Sequence, residues 1–86
     1  MMLSTINVNI LYFASAKEAT AVRMEPIELP KNASVKELLS NLSMMHPKIR
    51  GMLNIIQVSV NYKVVDKGTI LNDGDEVAIL PPISGG

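Results

Sequence analysis

One stretch of the chain carries a helical start signal followed by a helical apolar stripe. Ser34-Val35-Lys36-Glu37 fits a capping box, in which the serine hydroxyl accepts from the third helical amide and the glutamate reaches back to the serine backbone. Val35, Leu38, Leu39, Leu42 and Met45 then recur at helical spacing, until His46-Pro47 disfavours further helix. A lone helix with one apolar face must bury that face against a sheet, so the flanking segments have to supply one.

They do so by alternation. Ile6, Val8, Ile10 and Tyr12 alternate with Asn7 and Asn9, the period-two pattern of a strand with one buried face. After a turn-like stretch from Ala14 to Thr20, the segment Val22, Met24, Ile27, Leu29 reads as a second strand. Pro26 within it has no N–H to give a ladder, which predicts an edge position. Ile56, Val58 and Val60 form a third strand, Val64-Val65 a short one, and Val77 with Ile79 a last one after the turn Asn72-Asp73-Gly74-Asp75. The expected class is α+β, a small mixed sheet with one main helix on one face. At 86 residues there is room for one core, so residues 1–86 are expected to form a single domain whose flexible tail is 81–86. Hydrophobic residues at 48% and charged residues at 19% are ordinary for a chain that folds.

The opposite face of the sheet bears on function. The odd positions of the first strand run Asn7, Asn9, Leu11, Phe13, turning from polar to apolar where water is expected. In the last strand Leu80 points away from Val77 and Ile79. Leu11, Phe13 and Leu80 are therefore expected to form one exposed patch for a partner. Pro81-Pro82 ends the last strand and favours an extended path away from the sheet. Ile83-Ser84-Gly85-Gly86 follows, and two residues without Cβ make an end thin enough to thread a narrow channel. The Gly86 carboxylate is a poor electrophile. It becomes reactive when ATP converts it to an acyl-adenylate, from which a sulfur or nitrogen nucleophile displaces AMP.

Other chemistries lack their residues. Eight basic residues balance eight acidic ones without a Lys/Arg cluster, which disfavours a nucleic-acid partner. With no cysteine there is no thiol nucleophile, and with His46 as the single histidine neither a triad nor a zinc site can be assembled. His46 itself reads as a surface residue compensating a helix C-terminus. Asp73, Asp75 and Glu76 lack the spacing of a calcium loop and read as turn residues, so no metal is expected. Gly51, Gly68 and Gly74 are isolated, so the domain is not expected to bind ATP alone. Met1 to Phe13 lacks a basic n-region and a small-residue cleavage site, and Asn7 and Asn9 break its apolar run. Neither export nor a membrane span is expected, and a cytoplasmic location follows as the expectation.

The run Gly74-Asp75-Glu76-Val77-Ala78-Ile79-Leu80-Pro81-Pro82-Ile83-Ser84-Gly85-Gly86 closely resembles the small subunit of molybdopterin synthase, the MoaD-type sulfur carriers, and Leu11-Tyr12-Phe13-Ala14 looks like that family's first strand end. The resemblance extends from about Asn7 onward and implies the β-grasp, or ubiquitin-like, fold. It implies that Gly86 is adenylated by an E1-like activating enzyme using ATP, with no stably bound cofactor, and is then converted to a thiocarboxylate by a sulfurtransferase. The tail, with Gly85 and Gly86 at its reactive end, would enter the large synthase subunit and give its sulfur to cyclic pyranopterin monophosphate. Family precedent is a heterotetramer, a large-subunit dimer with one carrier at each end. The chain would thus be a sulfur-donating subunit and not catalytic alone. The partner surface implied comprises Leu11, Phe13, Lys17, Leu80, Pro81, Pro82, Ile83 and Ser84, with Phe13 beside Leu80 because the first and last strands are parallel neighbours in the family. Lys17 stands where some relatives carry arginine, and lysine does not make the same planar bidentate pair. Competing readings are a carrier for tRNA or thiamine thiolation, a ubiquitin-like modifier joined to lysines through Gly86, and a plain docking domain with an inert tail. The Pro81-Pro82-Ile83-Ser84 lead-in favours the molybdopterin version.

Overall fold

A computed structural model of the chain describes residues 4–82. Its elements follow in the order β1 (Thr5–Tyr12), α1 (Ala14–Thr20), β2 (Met24–Pro30), α2 (Val35–Met45), a 3-10 helix (Pro47–Met52), β3 (Gln57–Val60), β4 (Lys63–Val65) and β5 (Glu76–Leu80). The five strands form one sheet in the order β2-β1-β5-β3-β4. The central pair β1 and β5 is parallel, and every other pairing is antiparallel. This is the α+β arrangement expected, with β2 and its Pro26 at an edge where the missing N–H faces no neighbour.

Why α2 lies where it does can be traced to its cap. The Ser34 hydroxyl accepts from the Glu37 amide at 3.2 Å, and the Ser34 amide donates to Glu37 Oε1 at 3.4 Å. Val35, Leu38, Leu39 and Leu42 then turn inward onto the even positions of β1, Ile6, Val8, Ile10 and Tyr12. Ile27 and Leu29 of β2, Val58 of β3, Val77 and Ile79 of β5, Ile49 of the 3-10 helix and the loop residue Leu71 join this core. Ile10, Leu38, Leu42, Ile49 and Ile79 are wholly sealed, so truncating any one removes contacts that the close-packed neighbours cannot replace. Met45, the last member of the expected stripe, is instead half exposed. The helix ends there, and His46 leaves helical geometry before Met45 can be covered by another turn.

The stretch 14–20 also departs from expectation, being a short helix and not a turn. Alanines at 14, 16 and 19 favour helix, Ala16 is fully buried, and Thr20 returns its hydroxyl to the Ala16 carbonyl at 3.0 Å. Ala21, at φ 64, closes it by donating its amide to the Lys17 carbonyl at 2.8 Å. No sequence pattern of helical period marks so short an element, because two turns bury only one small side chain and one threonine.

At the far end of the sheet the acidic turn is held by hydrogen bonds, as turn residues should be. Asp73 Oδ1 accepts from the Asn7 amide at 2.7 Å, and Gly74, at φ 86, donates its amide to the Asn7 carbonyl at 2.8 Å. Asp75 is buried and its carboxylate accepts from the Asn72 amide at 2.8 Å and the Asn61 side chain at 2.9 Å. These bonds fasten the entry of β5 to the strands beside it and fix the register of the strand that leads to the tail.

Candidate functional site

The site grows out of one register. In the parallel pair β1 and β5, Leu11 lies opposite Ala78 and Tyr12 opposite Ile79, while β3 pairs Gln57 with Leu80 on the other side. One step further along the parallel ladder brings Phe13 beside Leu80. The expected neighbours are thus brought together at the end of β5 from which Pro81 and Pro82 depart.

Around them the uncovered face of the sheet is a shallow apolar hollow of about 290 Å³. Ala78 and Ser59 are its buried floor, shaded by strands on both sides. Leu11, Phe13, Tyr62, Val64 and Leu80 stand around them, with Glu76 as the one charged residue of the lining. Phe13 is 47% exposed and Val64 55%, large apolar surface that a folded chain leaves in water only at a cost unless a partner covers it. A second hollow, about 630 Å³, lies at the root of the tail between Phe13, Ala14, Ile55, Leu80, Pro81 and Pro82. Phe13 and Leu80 belong to both, so together they are the wall that joins the sheet face to the tail root. The chain is turned sharply just after it, Ala14 having φ 48.

Lys17 takes part from the side. It lines a third recess, with Arg23 as a second cation over a floor that includes Leu11, Phe13 and Met24. Of the residues expected to meet a partner, Leu11, Phe13, Lys17, Leu80, Pro81 and Pro82 thus share one end of the molecule. Ile83, Ser84, Gly85 and Gly86 lie outside the described residues.

Several residues at this site escape sequence reading. Val64 and Tyr62 belong to a hairpin that is distant in the chain, and Ile55 precedes β3 in an irregular segment. No alternation marks any of them as lining these hollows, since only the β3-β5 pairing carries them there. Ala78 reads as a small strand residue, and its role as a floor follows from being flanked by two strands.

His46 also departs from its expected surface role. Its side chain is 17% exposed, and its Nε2 lies 2.6 Å from Glu25 Oε2. The same carboxylate oxygen accepts the Tyr12 hydroxyl at 2.5 Å. The Tyr12 and His46 rings meet edge to face with centroids 5.8 Å apart. Burial, the bond to Glu25 and the charge of that carboxylate together push the Tyr12 phenol far above its ordinary range. This junction ties α2 to β1 and β2 directly behind Phe13, and no local motif announces it, because its three members are spread from position 12 to position 46.

Among the described residues no three His, Cys, Asp or Glu side chains converge as metal ligands, and no helix is long and apolar enough to cross a membrane. The polar groups at the apolar hollow are the buried Ser59 and, at its edge, the neighbours Tyr62 and Glu76. What the arrangement offers is an apolar face continuous with the root of the C-terminal segment.

Comparison with known proteins agrees with this geometry. The molybdopterin synthase sulfur carrier subunit of Homo sapiens is 36% identical over 88 residues, an alignment covering 99% of this chain and 100% of that protein. Among solved structures, molybdopterin converting factor subunit 1 of Pyrococcus furiosus superposes with a TM-score of 0.84 at 29% identity, covering 91% of this chain and 99% of that one. A chain from the complex of subunits 1 and 2 of the molybdopterin-converting factor of Helicobacter pylori matches with a TM-score of 0.67 at 28% identity, covering 94% of this chain and 100% of that one. The fold is the ubiquitin-like β-grasp. The family model described as ThiS matches residues 10–86, and the chain belongs to the ThiS family.

Proposed function

We propose that this protein is the sulfur carrier subunit of a molybdopterin synthase, and that its tail is the reactive part. The observation that carries the reading is the contiguity of the Leu11, Phe13, Leu80 face with the Pro81-Pro82 root of the tail. A partner seated on that face receives the four residues that follow Pro82. The human relative bears the name of this function, and the Helicobacter pylori relative is solved together with its second subunit. Both support a large-subunit partner.

On this reading an E1-like enzyme first activates the terminus. A Gly86 carboxylate oxygen attacks the α-phosphorus of ATP, pyrophosphate leaves, and the carboxylate becomes a mixed anhydride with AMP. The persulfide of a sulfurtransferase then attacks the acyl carbon and AMP leaves, giving an acyl disulfide; an enzyme thiol cleaves its S–S bond, becoming the disulfide product and leaving the terminus as a thiocarboxylate. In the large subunit the thiocarboxylate sulfur bonds to a carbon of cyclic pyranopterin monophosphate as an oxygen substituent leaves that carbon, water then cleaves the acyl carbon–sulfur bond so that Gly86 returns as a carboxylate, and a second carrier supplies the other dithiolene sulfur in the same way. Gly85 and Gly86 suit the path because neither has a Cβ to obstruct it. The absence of cysteine from the chain is consistent with a carrier that holds sulfur at its carboxyl terminus. ATP belongs to the activating enzyme, and the setting is the cytoplasm.

The test is the intact mass of the purified chain after incubation with an E1-like activator, ATP and a sulfur donor, with a Gly86 deletion as control. The expected result is replacement of one oxygen by sulfur in the full chain alone. An unchanged mass with reagents active on another carrier overturns the reading, and covalent adducts on lysines of other proteins point to a modifier instead.

A further inference from the structure

The hairpin that joins β3 to β4 has two residues in its loop, Asn61 and Tyr62, since Val60 pairs with Lys63 across it. Both loop residues are left-handed, at φ 51 and φ 73. Such tight loops favour asparagine followed by glycine, because a side chain with a Cβ is strained in this region and a bulky one most of all. Asn61 has a reason to be there. Its side chain donates to Asp75 Oδ1 at 2.9 Å and accepts from the Glu76 amide at 3.0 Å, locking the hairpin to β5. Tyr62 occupies the glycine position, and its ring gains no core packing in return, being 89% exposed.

The ring stands at the edge of the apolar hollow formed with Leu11, Phe13, Val64 and Leu80. We propose that Tyr62 is a specificity-determining contact for the large subunit, extending the docking face from the tail root to the hairpin tip. This rests on the reading of that face given above, with which Tyr62 is continuous. The surface it fits is apolar with a recess for one aromatic ring, and tyrosine is among the residues that most often anchor protein interfaces. The hydroxyl has the Glu76 carboxylate beside it, but that contact neither buries the ring nor relieves the backbone; a contact made by the ring in the complex accounts for both the strain and the exposure.

Two variants separate this from a structural role. Tyr62→Gly relieves the left-handed strain, and Tyr62→Asn keeps a Cβ in a residue type that tolerates this conformation, while both remove the ring. Calorimetry with purified large subunit is expected to show binding about tenfold weaker for each, the loss typical of an anchor residue. Thermal melts of the free variants are expected to hold or rise by a few degrees. Phe13→Asp is the control for the face itself. If Phe13→Asp binds as tightly as the parent, the face is misassigned. If Phe13→Asp loses binding while both Tyr62 variants keep the parental Kd, or if Tyr62→Gly melts lower than the parent, the role of Tyr62 is overturned.

Discussion

The Tyr12 hydroxyl donates to Glu25 Oε2 across 2.5 Å, joining β1 to β2 at the point where His46 brings in the end of α2. The contact sits one residue before Phe13 and one after Met24, so a part-buried polar junction adjoins the residues that line the recess beside Phe13.

Removing the acceptor tests that junction. Glu25→Ala leaves the buried Tyr12 hydroxyl and the His46 ring nitrogen without their shared partner, and is expected to cost about 1–3 kcal/mol in urea unfolding. Tyr12→Phe combined with Glu25→Ala is expected to cost less than the two single changes added, because each removes the same bond. Strict additivity would show that the bond contributes nothing.

The raised Tyr12 phenol gives a stability that depends on alkaline pH. Its folded-state pKa lies above the unfolded value, so the folded protein resists deprotonation. The contribution is therefore complete below the ordinary phenol value of about 10 and is lost as pH rises beyond it. The chain has two tyrosines, and Tyr62 is shifted upward as well by its neighbour Glu76. In a Tyr62→Phe background, phenolate absorbance is expected to appear only together with loss of the folded circular dichroism signal. Ionisation of Tyr12 in a protein that stays folded would contradict its burial.

Phe13→Asp is expected to weaken large-subunit binding by at least about tenfold while leaving the melting transition cooperative. The ring is 47% exposed and absent from the core, so a charge there meets water in the free carrier and apolar surface in the complex. A variant that no longer melts cooperatively would place Phe13 in the core after all.

Leu42→Ala is expected to behave in the opposite way. The side chain is fully sealed between α2 and the sheet, so its truncation should cost about 2–5 kcal/mol. Binding measured on the folded fraction is expected to stay at the parental value, since Leu42 lies on the face opposite the hollow. A lowered affinity of the folded fraction would show that the two faces of the sheet are coupled.

Much of the fold was legible because its signals are local. The alternation of Ile6 to Tyr12, the Ser34 to Glu37 box and the edge-forcing Pro26 each act within a few residues of themselves, and the structure follows them. The Leu11, Phe13, Leu80 patch was legible for the same reason, since side-chain direction in a strand follows from parity alone. The helix at Ala14 to Thr20 is not legible, because seven residues with two inward side chains carry almost no periodicity. The exposure of Met45 is not legible either, because a stripe does not show which of its members the sheet is long enough to cover.

The amino-acid sequence by itself determined which segments are strands, where the main helix begins, and that Pro81-Pro82 ends the last strand. These are properties of neighbouring residues, and they hold wherever the segments come to lie. Contacts between segments far apart in the chain decided the rest: Tyr12 and His46 on one carboxylate, Asn61 fastened to Asp75, and Val64 and Tyr62 carried beside Phe13. Such contacts depend on which strands pair and in which register, and that is settled by the joint burial of the whole core.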